Sequence, residues 1–162
     1  MREFLLWRQP GRVIRRNPEG YHTVSPYLIV HDAAGAIGFY KRAFGARELL
    51  RMAGPDGKVG HAEIKIGDSP VMLADEHPEM GARSPRSMGG SSISLLVYVE
   101  NVDAFVDQAV AAGARLIRPV ENRFYGDRSG AVEDPFGHQR FISAYVEDVP
   151  PEELERRAGS AG

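Results

Sequence analysis

Two stretches decide how this chain folds: Ser25-Pro-Tyr-Leu-Ile-Val-His-Asp32 and Ser94-Leu-Leu-Val-Tyr-Val-Glu-Asn101. Each reads as a β-strand, and each is followed by the same pattern. After the first, Ala33 to Phe44 sets Ile37, Tyr40, Lys41 and Phe44 at helical spacing; after the second, Val102 to Ala112 does so with Val102, Phe105, Val106, Ala109 and Val110. Both helices close on glycine, and both corners carry the same tripeptide, Gly45-Ala46-Arg47 and Gly113-Ala114-Arg115. Strand, helix and glycine corner recurring together constitute an internal repeat.

Three further strands follow each helix. In the first half they are Glu48 to Met52, Val59 to Ile66 and Pro70 to Asp75, separated by the turn-forming clusters Gly54-Pro-Asp-Gly57 and Gly67-Asp-Ser-Pro70. In the second half Arg115 to Val120, Gly130 to Glu133 and Gln139 to Val146 take those places, with Asp134-Pro-Phe-Gly137 as the last hairpin turn. The sequence thus predicts an α+β fold of two βαβββ modules. Its divisions are an N-terminal arm (1–20), module 1 (21–75), a linker (76–91), module 2 (92–147) and a C-terminal helix and tail (148–162). The linker, rich in Gly, Pro, Ser and Arg, is expected not to bury itself. Pro150-Pro-Glu-Glu-Leu-Glu-Arg-Arg157 has proline and acids first and arginines last, as a short helix prefers.

With 162 residues, the chain suffices for one compact unit or two small modules sharing a core. Its 20 Lys and Arg against 22 Asp and Glu give a net charge of −2, which provides no general attraction for nucleic acid or anionic lipid. The absence of cysteine removes disulfides, thiolate metal sites and cysteine nucleophiles together. Phe4 to Trp7 is the longest apolar run near the start and is too short for a signal core or a membrane span, so a cytoplasmic location is expected. The arginine-rich segment before Gly20 reads as a mobile arm or a misplaced start rather than as a basic binding segment.

The runs Pro18-Glu-Gly-Tyr-His-Thr-Val-Ser-Pro-Tyr-Leu-Ile-Val30, Ala36-Ile-Gly-Phe-Tyr-Lys-Arg-Ala-Phe-Gly-Ala46, His61-Ala-Glu63, Tyr125-Gly-Asp-Arg128 and Asp134-Pro-Phe-Gly-His138 carry a resemblance. Together, from Pro18 to Arg157, the chain resembles the vicinal oxygen chelate (glyoxalase/bleomycin-resistance/dioxygenase) superfamily, and within it the PhnB-like branch. The resemblance implies two curved mixed sheets closing around a cleft, within one chain or across a swapped dimer. It also implies that enzymes of the superfamily hold a divalent metal there through His and Glu on the first and last strand of each module. Registered on this chain, those places fall on Ser25, Leu73, Ser94 and Phe141. Leu and Phe have no donor atom and a neutral hydroxyl is a poor ligand, so no metal and no cofactor are expected.

Other polar groups become the candidates. If Leu73 faces the cleft, strand alternation turns His61, Glu63 and Lys65 the same way and packs Ala62, Ile64 and Ile66 beneath the helices. Glu63 is then a candidate base oriented by His61, or both are hydrogen-bonding anchors. Tyr125 and Arg128 fall at the implied cleft rim, where Arg128 either clamps an anion or pairs locally with Asp127. His138, just past a turn glycine, reads as a turn or helix contact. Tyr27, Leu96 and Tyr98 share parity with Ser25 and Ser94, and with Phe141 they give an apolar, aromatic lining suited to a flat organic ligand. The expected function is metal-independent binding of a small organic molecule by a homodimer. The alternative is an enzyme, lyase, isomerase or dioxygenase-like, working through Glu63 and His61 or an atypical metal site.

Overall fold

A computed structural model of the chain describes residues 16–160, so most of the N-terminal arm and the final two residues of the tail lie outside the described residues. The elements follow in the order β1 (Tyr27–Val30), α1 (Ala33–Phe44), β2 (Arg47–Ala53), β3 (Val59–Ile66) and β4 (Ser69–Asp75). A 3-10 turn at Pro78–Met80 and a single helical turn, α2 (Pro85–Met88), lead to β5 (Ser94–Tyr98) and α3 (Val102–Ala112). Next come β6 (Arg115–Asn122), β7 (Asp127–Glu133), β8 (Gln139–Tyr145) and α4 (Pro151–Ser160). The strands form two mixed four-stranded sheets, ordered β1-β4-β3-β2 and β5-β8-β7-β6, with β1–β4 and β5–β8 parallel and the other pairs antiparallel.

Local chemistry explains the repeated strand-to-helix corner. Asp32 and Asn101 sit at the N-caps, where their side-chain oxygens accept the backbone N–H of Gly35 (2.9 Å) and Ala104 (3.0 Å). The helices end at Gly45 (φ 62°) and Gly113 (φ 120°), positive values that only glycine adopts without strain. The repeated Gly-Ala-Arg therefore marks two equivalent backbone reversals.

Each helix covers one face of its own sheet, and α1 packs on α3. The helix-bearing faces share a single core, in which Ile37, Tyr40, Ile64 and Leu73 of the first half join Val102, Val132 and Ile142 of the second. Fully burying each such aliphatic side chain is worth about 1.5–3 kcal/mol. Aromatic contacts cross the seam: Phe44 stacks on Phe105 at 5.7 Å between centroids, and Phe39 meets Phe136 edge-on at 6.1 Å.

A polar network lies inside this core. Arg140 and Asp134, both inaccessible to solvent, pair at 2.5 Å, and the Tyr40 hydroxyl donates to Asp134 at 2.8 Å. The guanidinium rests over the rings of Tyr40 (4.6 Å) and Phe44 (4.7 Å), so two helix residues of the first half enclose an ion pair of the second. Asp134 also accepts the N–H groups of Phe136 and His138 (2.9 Å each), which ties the hairpin turn to the pair. His138 completes the seam by donating Nε2–H to the carbonyl of Ile29 at 3.0 Å.

The stretch between the halves is more ordered than its composition suggests. Ser84 and Pro85 are buried, and the Glu76 carboxylate accepts from the Ser84 N–H (2.9 Å) and the Ser87 hydroxyl (2.6 Å). These donors push the Glu76 carboxyl down to about 2. Glycine and proline here build a capped turn rather than an open linker. β1 is shorter than the alternation predicts, and Ser25 precedes it, because Pro26 offers only its carbonyl, to Met72 N–H at 2.9 Å.

Candidate functional site

Since both helices cover the inner faces, each sheet has a second face without a helix on it among the described residues. No strand of one sheet contacts a strand of the other, and large side chains on these outer faces stand exposed. Tyr27 is 48% accessible on the first sheet, and Leu96 and Tyr98 are 52% and 65% accessible on the second.

The register fixes which residues share the first outer face. Tyr27 pairs with Met72, Met72 with Glu63, and Glu63 with Leu50, while His61 pairs with Met52. Ala62, Ile64 and Ile66 are buried on the opposite face, beneath α1. Leu73 pairs with Ala62 and Leu28 and is fully buried among them, so it belongs to the core and not to the outer face. The expected position is thus off by one residue: Met72 occupies it. The error arose because Val71-Met-Leu-Ala74 is apolar throughout and shows no alternation from which to read a face.

Across this face runs a chain of hydrogen bonds. The Tyr27 hydroxyl lies 2.8 Å from His61 Nδ1, and His61 Nε2 lies 3.1 Å from Glu63 Oε1. The other Glu63 oxygen accepts the hydroxyl of Tyr21. A carboxylate only accepts, so Nε2 carries the imidazole proton in the neutral ring and Nδ1 accepts from Tyr27. Tyr21 and His61 hold the Glu63 carboxyl below its ordinary range, with the Tyr21 hydrogen bond as the largest cause. Reciprocally, Glu63 and burial raise the Tyr21 phenol to about 12. Partial burial, with Glu63 nearby, also raises Tyr27, so its phenol stays protonated at neutral pH. Tyr21 is the member that strand reasoning missed: it lies in the loop before β1, where no periodicity exists to place it.

On the second outer face, Ser94, Leu96 and Tyr98 pair with Gln139, Phe141 and Ser143 of β8. Phe141 in turn pairs with Ala131, and Ala131 with Arg118. The Arg118 guanidinium lies over the Phe141 ring at 5.2 Å. Arg128 belongs elsewhere: it makes two bonds to Asp103 of α3 (2.7 and 2.6 Å) and one to Asn122 (3.1 Å). Its carboxylate partner is therefore Asp103 and not Asp127, because β7 starts three residues earlier than its apolar part suggests and turns Arg128 toward the helix. Tyr125, half exposed, packs edge-on against Phe124 at 5.3 Å in the turn before β7.

The donor set does not fit a divalent cation. Among the described residues, no three His, Asp or Glu side chains gather as a metal centre requires, and Ser25, Ser94, Phe141 and either Leu73 or Met72 offer neither imidazole nor carboxylate. No helix among the described residues is long and apolar enough to cross a membrane.

Two mixed four-stranded sheets, each carrying one helix and an uncovered face, define the architecture of the glyoxalase/bleomycin-resistance fold. Residues 21–139 match the Glyoxalase/Bleomycin resistance protein/Dioxygenase superfamily, and the chain belongs to it. An uncharacterized protein of Mycobacterium tuberculosis (strain H37Rv) is 43% identical over 158 residues, covering 96% of this chain and 92% of its own. Among solved structures, TioX from Micromonospora sp. ML1 is 27% identical and superposes with a TM-score of 0.59 over 76% of this chain and 99% of its own. A gene product of Arabidopsis thaliana, also 27% identical, gives 0.62 over 76% and 98%.

Proposed function

We propose that this protein binds a small organic molecule on its outer sheet faces without a metal, as a cytoplasmic homodimer of the PhnB-like branch. One observation carries the reading: the Tyr27–His61–Glu63–Tyr21 chain is a set of polar groups held in place by one another on an exposed sheet face. Solvated side chains gain little from such mutual order, whereas a binding wall gains preorganisation. Exposed aromatic and aliphatic groups, Tyr27 and Met52 on this face and Leu96 and Tyr98 on the open face of the other sheet, supply the apolar surface that a ligand or a second copy would cover. The motifs Ala36 to Ala46 and Asp134 to His138 support the branch. A thermal-shift screen of small aromatic and carboxylated compounds in EDTA tests this. Hits should lose their shift in Tyr27→Phe and His61→Ala, whereas equal shifts in wild type and both variants would place the ligand elsewhere.

A second, enzymatic reading is favoured by the direction of the same hydrogen bonds. The hydrogen bonds that hold the Glu63 carboxyl below its ordinary range make it a weaker base than a free carboxylate, and the one from His61 lets it orient that ring. A ligand O–H or N–H meeting Tyr27 passes its proton to the phenol oxygen as the phenol proton moves to His61 Nδ1, with Glu63 stabilising the imidazolium. Time-dependent conversion of a bound hit to a new species, followed by NMR and abolished in Tyr27→Phe, distinguishes turnover from simple binding.

A further inference from the structure

Five arginines belong to the second sheet and its turns, and four of them are neutralised. Arg115 pairs with Glu133 at 2.9 Å, Arg123 with Glu121 at 3.1 Å, Arg128 with Asp103 at 2.6 Å and Arg140 with Asp134 at 2.5 Å. Arg118 alone has neither a carboxylate nor a hydrogen-bond partner among the described residues. Its guanidinium carbon instead lies over the Phe141 ring, 5.2 Å from the centroid, and the residue is exposed. A cation–π contact holds the guanidinium beside the ring, while its N–H donors keep no carboxylate or hydrogen-bond partner among the described residues.

The surroundings restrict what could use those donors. Ala131, between Arg118 and Phe141 in the register, is fully buried and too small to rise above them. Phe141 continues sideways into Leu96, its partner on β5, so the cation borders a flat apolar floor. Three carboxylates share this face: Glu133, held by Arg115 and by Gln139 at 3.1 Å, Glu121, paired with Arg123 at 3.1 Å, and Asp127, buried opposite Tyr145. An incoming molecule therefore meets a positive edge beside an aromatic surface.

We propose that Arg118 and Phe141 form the anchor for an organic anion, a flat aromatic or unsaturated molecule bearing a carboxylate, sulfonate or phosphate at its edge. This deepens the binding function proposed above and rests on it. A guanidinium gripping such a group with two parallel N–H donors gains a charge-assisted contact, while the ligand ring lies on Leu96, beside the Phe141 ring that Arg118 covers.

Two fluorescent probes that differ in one group separate this claim from the general one: 8-anilinonaphthalene-1-sulfonate, and N-phenyl-1-naphthylamine, which lacks the sulfonate. The full chain is titrated with each, in EDTA, as wild type, Arg118→Met and Arg118→Lys. Arg118→Met retains a flexible apolar cover on Phe141 and removes the charge. The sulfonate should bind wild type about tenfold tighter than the neutral probe, and Arg118→Met should remove that difference by weakening the sulfonate alone. Arg118→Lys should recover only part of it, since an ammonium lacks the planar fork. Equal affinity of the two probes for wild type, or an equal loss of both in Arg118→Met, overturns the anion anchor while leaving the binding function standing. Saturable binding of neither probe to wild type overturns both.

Discussion

The molecule contains two networks made from nearly the same parts, and burial separates their roles. Tyr40, Asp134 and Arg140 join a phenol, a carboxylate and a cation inside the shared core, fully excluded from water. Tyr27, His61, Glu63 and Tyr21 join two phenols, a carboxylate and an imidazole on an open sheet face. In the first, each side chain meets another element of the fold, with Arg140 Nε and Nη2 facing aromatic rings and not hydrogen-bonded among the described residues, so the network fastens the two halves together. The second is aligned just as closely, yet its end, Tyr27, stands in solvent, half exposed. A buried ion pair adds little net stability beyond an apolar replacement, but removing one member strands the other. An exposed chain contributes little to stability in either case, so its order calls for a different explanation.

The largest expected effect lies in the buried network. Asp134→Ala leaves the Arg140 charge unpaired in the core and should cost about 3–5 kcal/mol in urea unfolding, whereas Tyr40→Phe, which removes one hydrogen bond, should cost about 1 kcal/mol. A loss below about 1 kcal/mol for Asp134→Ala would mean that this pair does not fasten the halves.

His138 gives the next effect, and it depends on pH. Burial holds its imidazole below the ordinary 6.5, so the unfolded chain takes up this proton first as pH falls. Wild-type stability should therefore decline as pH drops through the region of 6.5 toward the folded value, and His138→Gln should flatten that decline between about pH 8 and pH 5. Parallel slopes for the two proteins would remove His138 from the seam.

On the open face the effects on folding are smaller. Tyr27→Phe should change stability by less than about 1 kcal/mol while weakening a bound ligand about five- to tenfold, as measured by titration. Smallest is Glu63→Gln. Because the folded carboxyl lies below its ordinary 4.5, its contribution is present above that value and lost as pH falls through the folded one. Solvent screening keeps it under about 1 kcal/mol, so the two proteins should differ slightly near pH 7 and converge as the folded carboxyl is protonated.

The repeat was legible because its signals are local: helical spacing over Ile37, Tyr40 and Phe44, and the glycines that reverse the chain after each helix. His61 and Glu63 could be placed on one face because β3 alternates polar with apolar residues. Leu73 could not, since an all-apolar strand has no readable parity. Nor could Arg128, whose partner Asp103 lies on another element, or Arg118, which is distinguished by having no carboxylate partner among the described residues. Tyr21 in its loop and the buried pairing of Arg140 with Asp134 depend on tertiary contacts that no sequence period announces.

The central claim is that the open sheet faces, with their aligned polar chain, are where a small molecule binds. Backbone amide chemical-shift mapping by NMR during titration with 8-anilinonaphthalene-1-sulfonate, in EDTA, tests it most directly. Shifts concentrated on β1, β3, β5 and β8, including Tyr27, His61, Leu96 and Phe141, are the predicted result. Shifts concentrated instead around α2 and the 134–137 turn, or spread evenly over the helices, would contradict it.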